Sequence, residues 1–209
     1  RELKGGNTEL HYACFEDEAW LVRACIAFNG DVNAPTEKGF TPLHVACQCS
    51  HVDVVKLLLE SGAQPSLYHK NSHGAIPIDY AVSKRRVDTV KLLLSYHEKD
   101  KKIESLGNAF VLAADKQYLE IVKLFLEASM PDIIHSHHSL DGTTALHASC
   151  GESDDTEVME FLLESGAAVN AVDNDGWSPL FYAVGFARPE CAKVLLAAGA
   201  AVNHRRNGG

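Results

Sequence analysis

One nine-residue pattern constrains this chain more than anything else in it. Gly-Phe-Thr-Pro-Leu-His-Val-Ala-Cys, beginning at Gly39, returns in fainter form from end to end with a period of about 33 residues. Copies begin at Gly6, Gly74, Gly142 and Gly176, and a sixth, from Leu106, has lost the turn glycine at its first position. Each copy is followed by an apolar segment, such as the one from Val54 to Ala63 that ends in Ser-Gly-Ala. An element this short cannot bury its own apolar face. Each copy therefore needs the next one beside it, and the chain must build a stack.

Each unit has a physical reading. The opening glycine suits a turn that disfavours a Cβ. Thr41, Thr144 or Ser178 can cap a helix N-terminus, with Pro42 or Pro179 preset for the first helical position. Leu43, Ala46 and Cys47 make the apolar side of a short first helix. Val54, Val55, Leu57, Leu58 and Leu59 make a second helix, stopped by Gly62. The segments running into the next glycine suit an extended turn, so the product is helix, helix, hairpin loop, repeated.

Totals exclude several classes. A net charge of -9 argues against general nucleic-acid binding. No apolar run approaches the roughly 20 residues of a membrane span, so membrane insertion is not expected. Six cysteines could form a disulfide framework, but all except Cys49 fall in apolar helical stretches, and free thiols in a reducing compartment are the expectation. The chain starts at Arg1 rather than Met and ends partway into a hairpin, which suggests a fragment of a longer protein.

Thr41-Pro42-Leu43-His44, the Gly-Ala endings at Gly62, Gly166 and Gly199, and the Val-Asn pairs at Asn33, Asn170 and Asn203 carry a resemblance to the ankyrin repeat family. The resemblance covers nearly the whole chain. It implies an all-α repeat solenoid of helix-turn-helix pairs with projecting β-hairpin loops. The expected organisation is a single domain, 1-209, with repeats near 4-36, 37-71, 72-104, 105-139, 140-173 and 174-207. It also assigns His11, His44 and His147 hydrogen bonds that tie neighbouring turns together, rather than catalytic work.

Departures from the pattern concentrate in the middle. Unit three has Ile76-Pro77-Ile78-Asp79 for the tetrapeptide and no Gly-Ala ending; unit four has Asn108-Ala109-Phe110-Val111 and a long linker; unit five carries one extra residue near Glu152 to Glu157. Irregular loops are expected after the sixth and eighth helices. They are either drift that a solenoid tolerates or a site that the irregularities shape.

By the same resemblance, partners are bound by inner-helix ends and hairpin tips. That implies Phe15, Gln48, Lys84, Lys116, Glu152 and Phe186 on the concave surface, with Phe40 and Trp177 at the tips. Lys84 and Lys116 hold the same position in adjacent units and would make a basic centre, either an anchor for an acidic or phosphorylated peptide or a pair of solvated charges. The acidic loop from Glu152 to Glu157 would select a basic segment or simply be exposed turn. Phe40 and Trp177 would be interface anchors, unless each ring folds over its own hairpin. Trp20, on an outer helix, is expected to pack.

Chemistry finds little support. His135, His137 and His138 suggest zinc, but a structural site wants four ligands and no cysteine pair lies nearby, so a polar loop is the expectation. Asp173 to Trp177 begins like a calcium loop and lacks the twelfth-position glutamate. No cofactor and no enzymatic activity are expected. Asn170 and Asn203 resemble the setting in which asparaginyl hydroxylases modify ankyrin repeats. The function expected is a protein-interaction module, a monomer in the cytoplasm or else the nucleus; the alternative is the targeting or regulatory arm of a larger enzyme or channel.

Overall fold

The computed structural model describes residues 5–49, 52–97, 103–128 and 131–203. The chain divides into two compact units, Arg1–Glu98 and Lys99–Gly209.

The first unit contains α1 (Glu9–Phe15), α2 (Ala19–Ala27), α3 (Pro42–Cys49), α4 (Val52–Glu60), α5 (Pro77–Ser83) and α6 (Val87–Ser95). The inner helices α1, α3 and α5 pack in series, and so do the outer helices α2, α4 and α6. The second holds α7 (Ile103–Asp115), α8 (Leu119–Glu127), α9 (Ala145–Ala148), α10 (Glu157–Glu164), α11 (Pro179–Gly185) and α12 (Pro189–Ala197). Here α7, α9 and α11 are the inner row. Among the described residues the hairpin loops form no strand ladder; the one isolated bridge pairs His137 with Thr144.

The helix starts follow the sequence. Pro42, Pro77 and Pro179 open their helices at the position where the missing N–H has no partner to lose. The Ser178 hydroxyl accepts the Phe181 N–H. Thr8, Thr41 and Thr144 share a tighter device. In each, the threonine N–H donates to Nδ1 of the histidine three residues on, at 3.1, 3.1 and 3.2 Å. An accepting Nδ1 carries no proton, so Nε2 must carry it and donate. Its acceptor is a backbone oxygen in the next hairpin: Phe40 for His11, Ala75 for His44, Trp177 for His147. The histidines tie neighbouring repeats together, as the resemblance implied.

Hairpins also join directly. The Glu37 N–H donates to the Gly5 carbonyl, Ser72 to Lys38, and Asn174 to Asp141. These approaches explain the turn glycines. Gly142 has φ +75°, and a Cβ on it would lie 2.9 Å from the Asn174 nitrogen. Between the layers, Leu43, Ala46, Cys47, Val54, Val55, Leu58 and Leu59 are fully buried.

The degenerate fourth repeat has its own solution. Without a turn glycine, α7 begins at Ile103 and runs for 13 residues. Gly107 lies within it, where a Cβ would come within 3.0 Å of the His137 carbonyl oxygen, so the helix passes close under the next hairpin. Asn108 replaces the histidine tie, donating to the Ser139 hydroxyl and accepting the Ser139 N–H. After α8 the linker forms a 3₁₀ turn, Pro131–His135, with Ile133 and Ile134 buried. The irregular loop expected after α6 lies largely outside the described residues.

Two expectations change. Trp20 is 67% exposed and does not pack; it holds the outer-helix position that Asp53, Asp88 and Glu120 hold elsewhere, and its indole N–H donates to Glu18. All six cysteines are free, but Cys25 joins Cys49 as only partly buried.

Candidate protein-interaction surface

In the first unit the inner helix ends and the hairpins enclose a groove of about 470 Å³. Phe15, Phe40 and Gln48, three of the expected contact residues, all line it. Phe15, the last residue of α1, is 60% exposed. The Phe40 ring is half-buried against Tyr80, at 5.6 Å, and His44, at 5.7 Å, so it forms the wall of the groove rather than a projecting anchor. Sequence reasoning missed Tyr12, which also lines the groove and is 47% exposed. Its signal was available, since it occupies the place of Val45 in the next repeat and carries a larger ring. Lys84 caps the C-terminus of α5 and is exposed.

In the second unit the expected residues have internal partners. Lys116 is paired with Glu152 and lies 3.3 Å from the Asp115 carboxylate. That hydrogen bond to Glu152 is the main cause that raises the Lys116 pKa. The rest of the acidic loop is largely engaged. Asp154 accepts the N–H groups of Glu190 and Cys191 at the start of α12, and Asp155 accepts that of Glu157 at the start of α10. The extra residue of unit five thus belongs to a loop that caps the next outer helix.

Trp177 is half-buried, with its ring stacked on Phe181 at 3.6 Å and 16°. Phe186 is exposed beyond Tyr182, whose hydroxyl donates to the buried Asp173. Phe181 and Val184 are 46% and 66% exposed, although the matching His44 and Cys47 are fully buried. No sequence signal short of aligning the repeats marks them.

The buried histidines have structural partners. Burial pushes the His44 pKa down to about 4 and lowers those of His11 and His147, and all three rings serve the hairpin ties. His138 faces Asp141 at 3.1 Å, and among the described residues no three histidine, cysteine or acidic side chains converge as a metal site. No helix of the described residues is long and apolar enough to cross a membrane. The Asn170 carboxamide donates to the Gly199 carbonyl and accepts the Ala201 N–H, while Asn203 is exposed.

The model for ankyrin repeats (3 copies) matches residues 10–105 and 108–206. The chain belongs to the ankyrin repeat family. It is 35% identical over 208 residues, 95% of its length, to the transient receptor potential cation channel subfamily A member 1 of Drosophila melanogaster, of which it covers 17%. It is 29% identical over 178 residues, 83% of its length, to the nuclear factor NF-kappa-B p105 subunit of Gallus gallus, of which it covers 18%. The chain thus spans less than a fifth of these relatives. Among solved structures, the ankyrin repeat domain of human ASB11 matches with a TM-score of 0.78 and 26% identity, over 97% of this chain and 89% of that one. That of Bcl-3 shares the fold, with a TM-score of 0.80 at 24% identity, over 97% and 91%. Ankyrin repeats are protein-interaction modules, and the fold is generally non-catalytic.

Proposed function

We propose that this ankyrin repeat chain captures a peptide or protein segment on the concave face of its first unit. The observation that carries the reading is the groove where Tyr12 and Phe15 stand exposed beside Phe40 and Gln48. Exposed aromatic rings at a concave wall are the side chains that most often anchor an interface. Lys84 extends this surface and offers a cation to an acidic or phosphorylated residue. Lys116 and Glu152 contribute little, because they satisfy one another. Trp177 and Phe186 are secondary contacts on the second unit.

The chain works without cofactor or catalysis, as a monomer in the cytoplasm, and Asn170 and Asn203 are candidate acceptors for hydroxylation. Intact-mass analysis of the chain from cells reads that modification directly; no added oxygen removes it. A second reading, a targeting or regulatory arm of a larger enzyme or channel, is supported by the small share of its relatives that the chain covers. The two readings use the same surface.

The test compares partners captured from cell lysate by the wild-type chain and by Phe15→Asp, with circular dichroism to show that both are folded. Loss of the partners with Phe15→Asp is expected. Partners kept by Phe15→Asp and lost with Trp177→Ala/Phe186→Ala would move the site to the second unit.

A further inference from the structure

The three-residue turns that close the inner helices of the first unit carry opposite charge at its two ends. After α1 comes Glu16-Asp17-Glu18; after α5 comes Lys84-Arg85-Arg86. All six residues are exposed. The two turns have the same geometry. Glu16 and Lys84 are the C-caps, donating N–H to Tyr12 and Tyr80. Asp17 and Arg85 both take left-handed backbone, at φ 59° and 54°. The third residue of each set closes back on its helix, the Glu18 N–H donating to the Ala13 carbonyl and the Arg86 N–H to that of Ala81. Between them lies the end of α3, which closes on the uncharged pair Gln48 and Cys49. Cys49 reports both ends: burial and then the Asp17 carboxylate push its thiol pKa up, while the Lys84 ammonium works against them.

We infer that the concave face of the first unit binds an extended segment that is basic at one end, acidic at the other, and carries a bulky apolar side chain nearer its basic end. This rests on the reading above that the groove is a peptide-binding surface, and it adds the charge order of the ligand. Helix packing sets the scale. Two interhelical steps of 8–10 Å place the acidic and basic turns roughly 16–20 Å apart, which about five or six extended residues span. The apolar anchor enters between Tyr12, Phe15 and Phe40, which line the groove with residues of α1, α3 and the hairpin before α3. That puts it beside the acidic turn. Glu37 and Lys38, on the groove's hairpin rim, offset one another and leave the helix ends to set the field. Such rim charges fix orientation and register more than affinity.

The experiment pans a random dodecapeptide phage library on the purified chain, on Phe15→Asp, on Glu16→Lys/Glu18→Lys and on Lys84→Glu/Arg86→Glu, each shown folded by circular dichroism. Wild type is expected to enrich peptides with a tryptophan, phenylalanine or leucine flanked by arginine or lysine on its near side and by glutamate or aspartate about five residues away. Phe15→Asp loses them. The first charge reversal selects peptides acidic at both ends, and the second selects peptides basic at both ends. By fluorescence anisotropy the best wild-type peptide binds each reversed chain about tenfold more weakly, a difference that shrinks at high salt. Peptides that depend on Phe15 but are enriched unchanged by both reversals would overturn the charge order and leave the groove as a binding surface. No enrichment that Phe15→Asp removes would overturn both.

Discussion

His44 donates from Nε2 to the carbonyl of Ala75, 31 residues further along the chain, at 3.2 Å. The ring can do so only while Nδ1 accepts from Thr41, so one neutral imidazole both caps its own helix and holds the next hairpin. A proton on Nδ1 would oppose the Thr41 N–H and break the cap. Burial accordingly lowers the His44 pKa from 6.5 to about 4, with the charge of His69 adding to it.

Stability should therefore fall with acid in a defined window. The folded pKa lies below the unfolded one, so the unfolded chain binds the extra proton first. The contribution is whole above pH 6.5 and is lost progressively as pH falls toward about 4. His11 and His147 shift in the same direction and steepen the effect. Thermal melts from pH 7.5 to 4.5 should show a falling Tm, with a shallower slope for His44→Gln. An NMR titration that placed His44 near 6.5 would sink this account.

Turn glycines should differ in their tolerance of alanine. At Gly142 the added methyl meets both a left-handed backbone and the Asn174 amide, which donates to Asp141 beside it. At Gly74 the backbone is equally left-handed, φ +74°, but no atom lies within 4 Å. Gly74→Ala should cost about 1 kcal/mol, the strain alone. Gly142→Ala should cost about 2–3 kcal/mol, since the hairpin contact must also give way. Urea denaturation of the two variants decides it; equal midpoints would mean that the hairpin contact adds nothing.

Much of this was legible in the chain because a repeat is local chemistry reused. Thr41, Pro42, His44 and Gly62 each act on their own turn or on the same turn one period later, so spacing placed Thr41, Pro42 and Gly62, and the resemblance to the ankyrin repeat supplied the tie made by His44. What spacing cannot show is how a side chain is answered from a different position in the next unit. Lys116 looked like half of a basic centre, yet its partner Glu152 stands 36 residues away on a loop lengthened by one residue. Tyr12 and Phe181 were passed over for a related reason. Phe181 sits where other repeats hold a buried tying histidine, and Tyr12 where they hold half-buried residues such as Val45 and Leu112, so position in the repeat did not mark either as exposed. Trp20 was misplaced because its outer helix suggested packing, while its place within that helix is the one that Asp53, Asp88 and Glu120 hold in other repeats.

The cysteines should react in two classes. Cys14 and Cys150 are buried, and burial raises each thiol to about 12; Cys47 is fully buried and raised further. Cys191 is raised to about 11, with the Asp154 carboxylate adding to burial. Only the thiolate alkylates readily, so these four should resist iodoacetamide at pH 8 while Cys25 and Cys49, partly exposed, are modified first. Mass mapping of short-time labelling reads the order. Early labelling of Cys47 would mean that the α3 layer opens on that timescale.

Lys116 and Glu152 make the last case, a contact with little bearing on stability. Their side chains are 34% and 53% exposed, and ion pairs at such sites contribute below about 1 kcal/mol, less in salt. Lys116→Ala and Glu152→Ala should each leave the urea midpoint nearly unchanged, and a double-mutant cycle should give a coupling of about 0.5 kcal/mol that fades in 1 M salt. In recognition the pair keeps Lys116 occupied. While Glu152 holds it, Lys116 cannot serve an acidic ligand at full strength. Glu152→Ala should then increase binding of an acidic peptide probe, and Lys116→Ala/Glu152→Ala should cancel the gain. If Glu152→Ala leaves that binding unchanged, the pair is as idle in recognition as it is in stability.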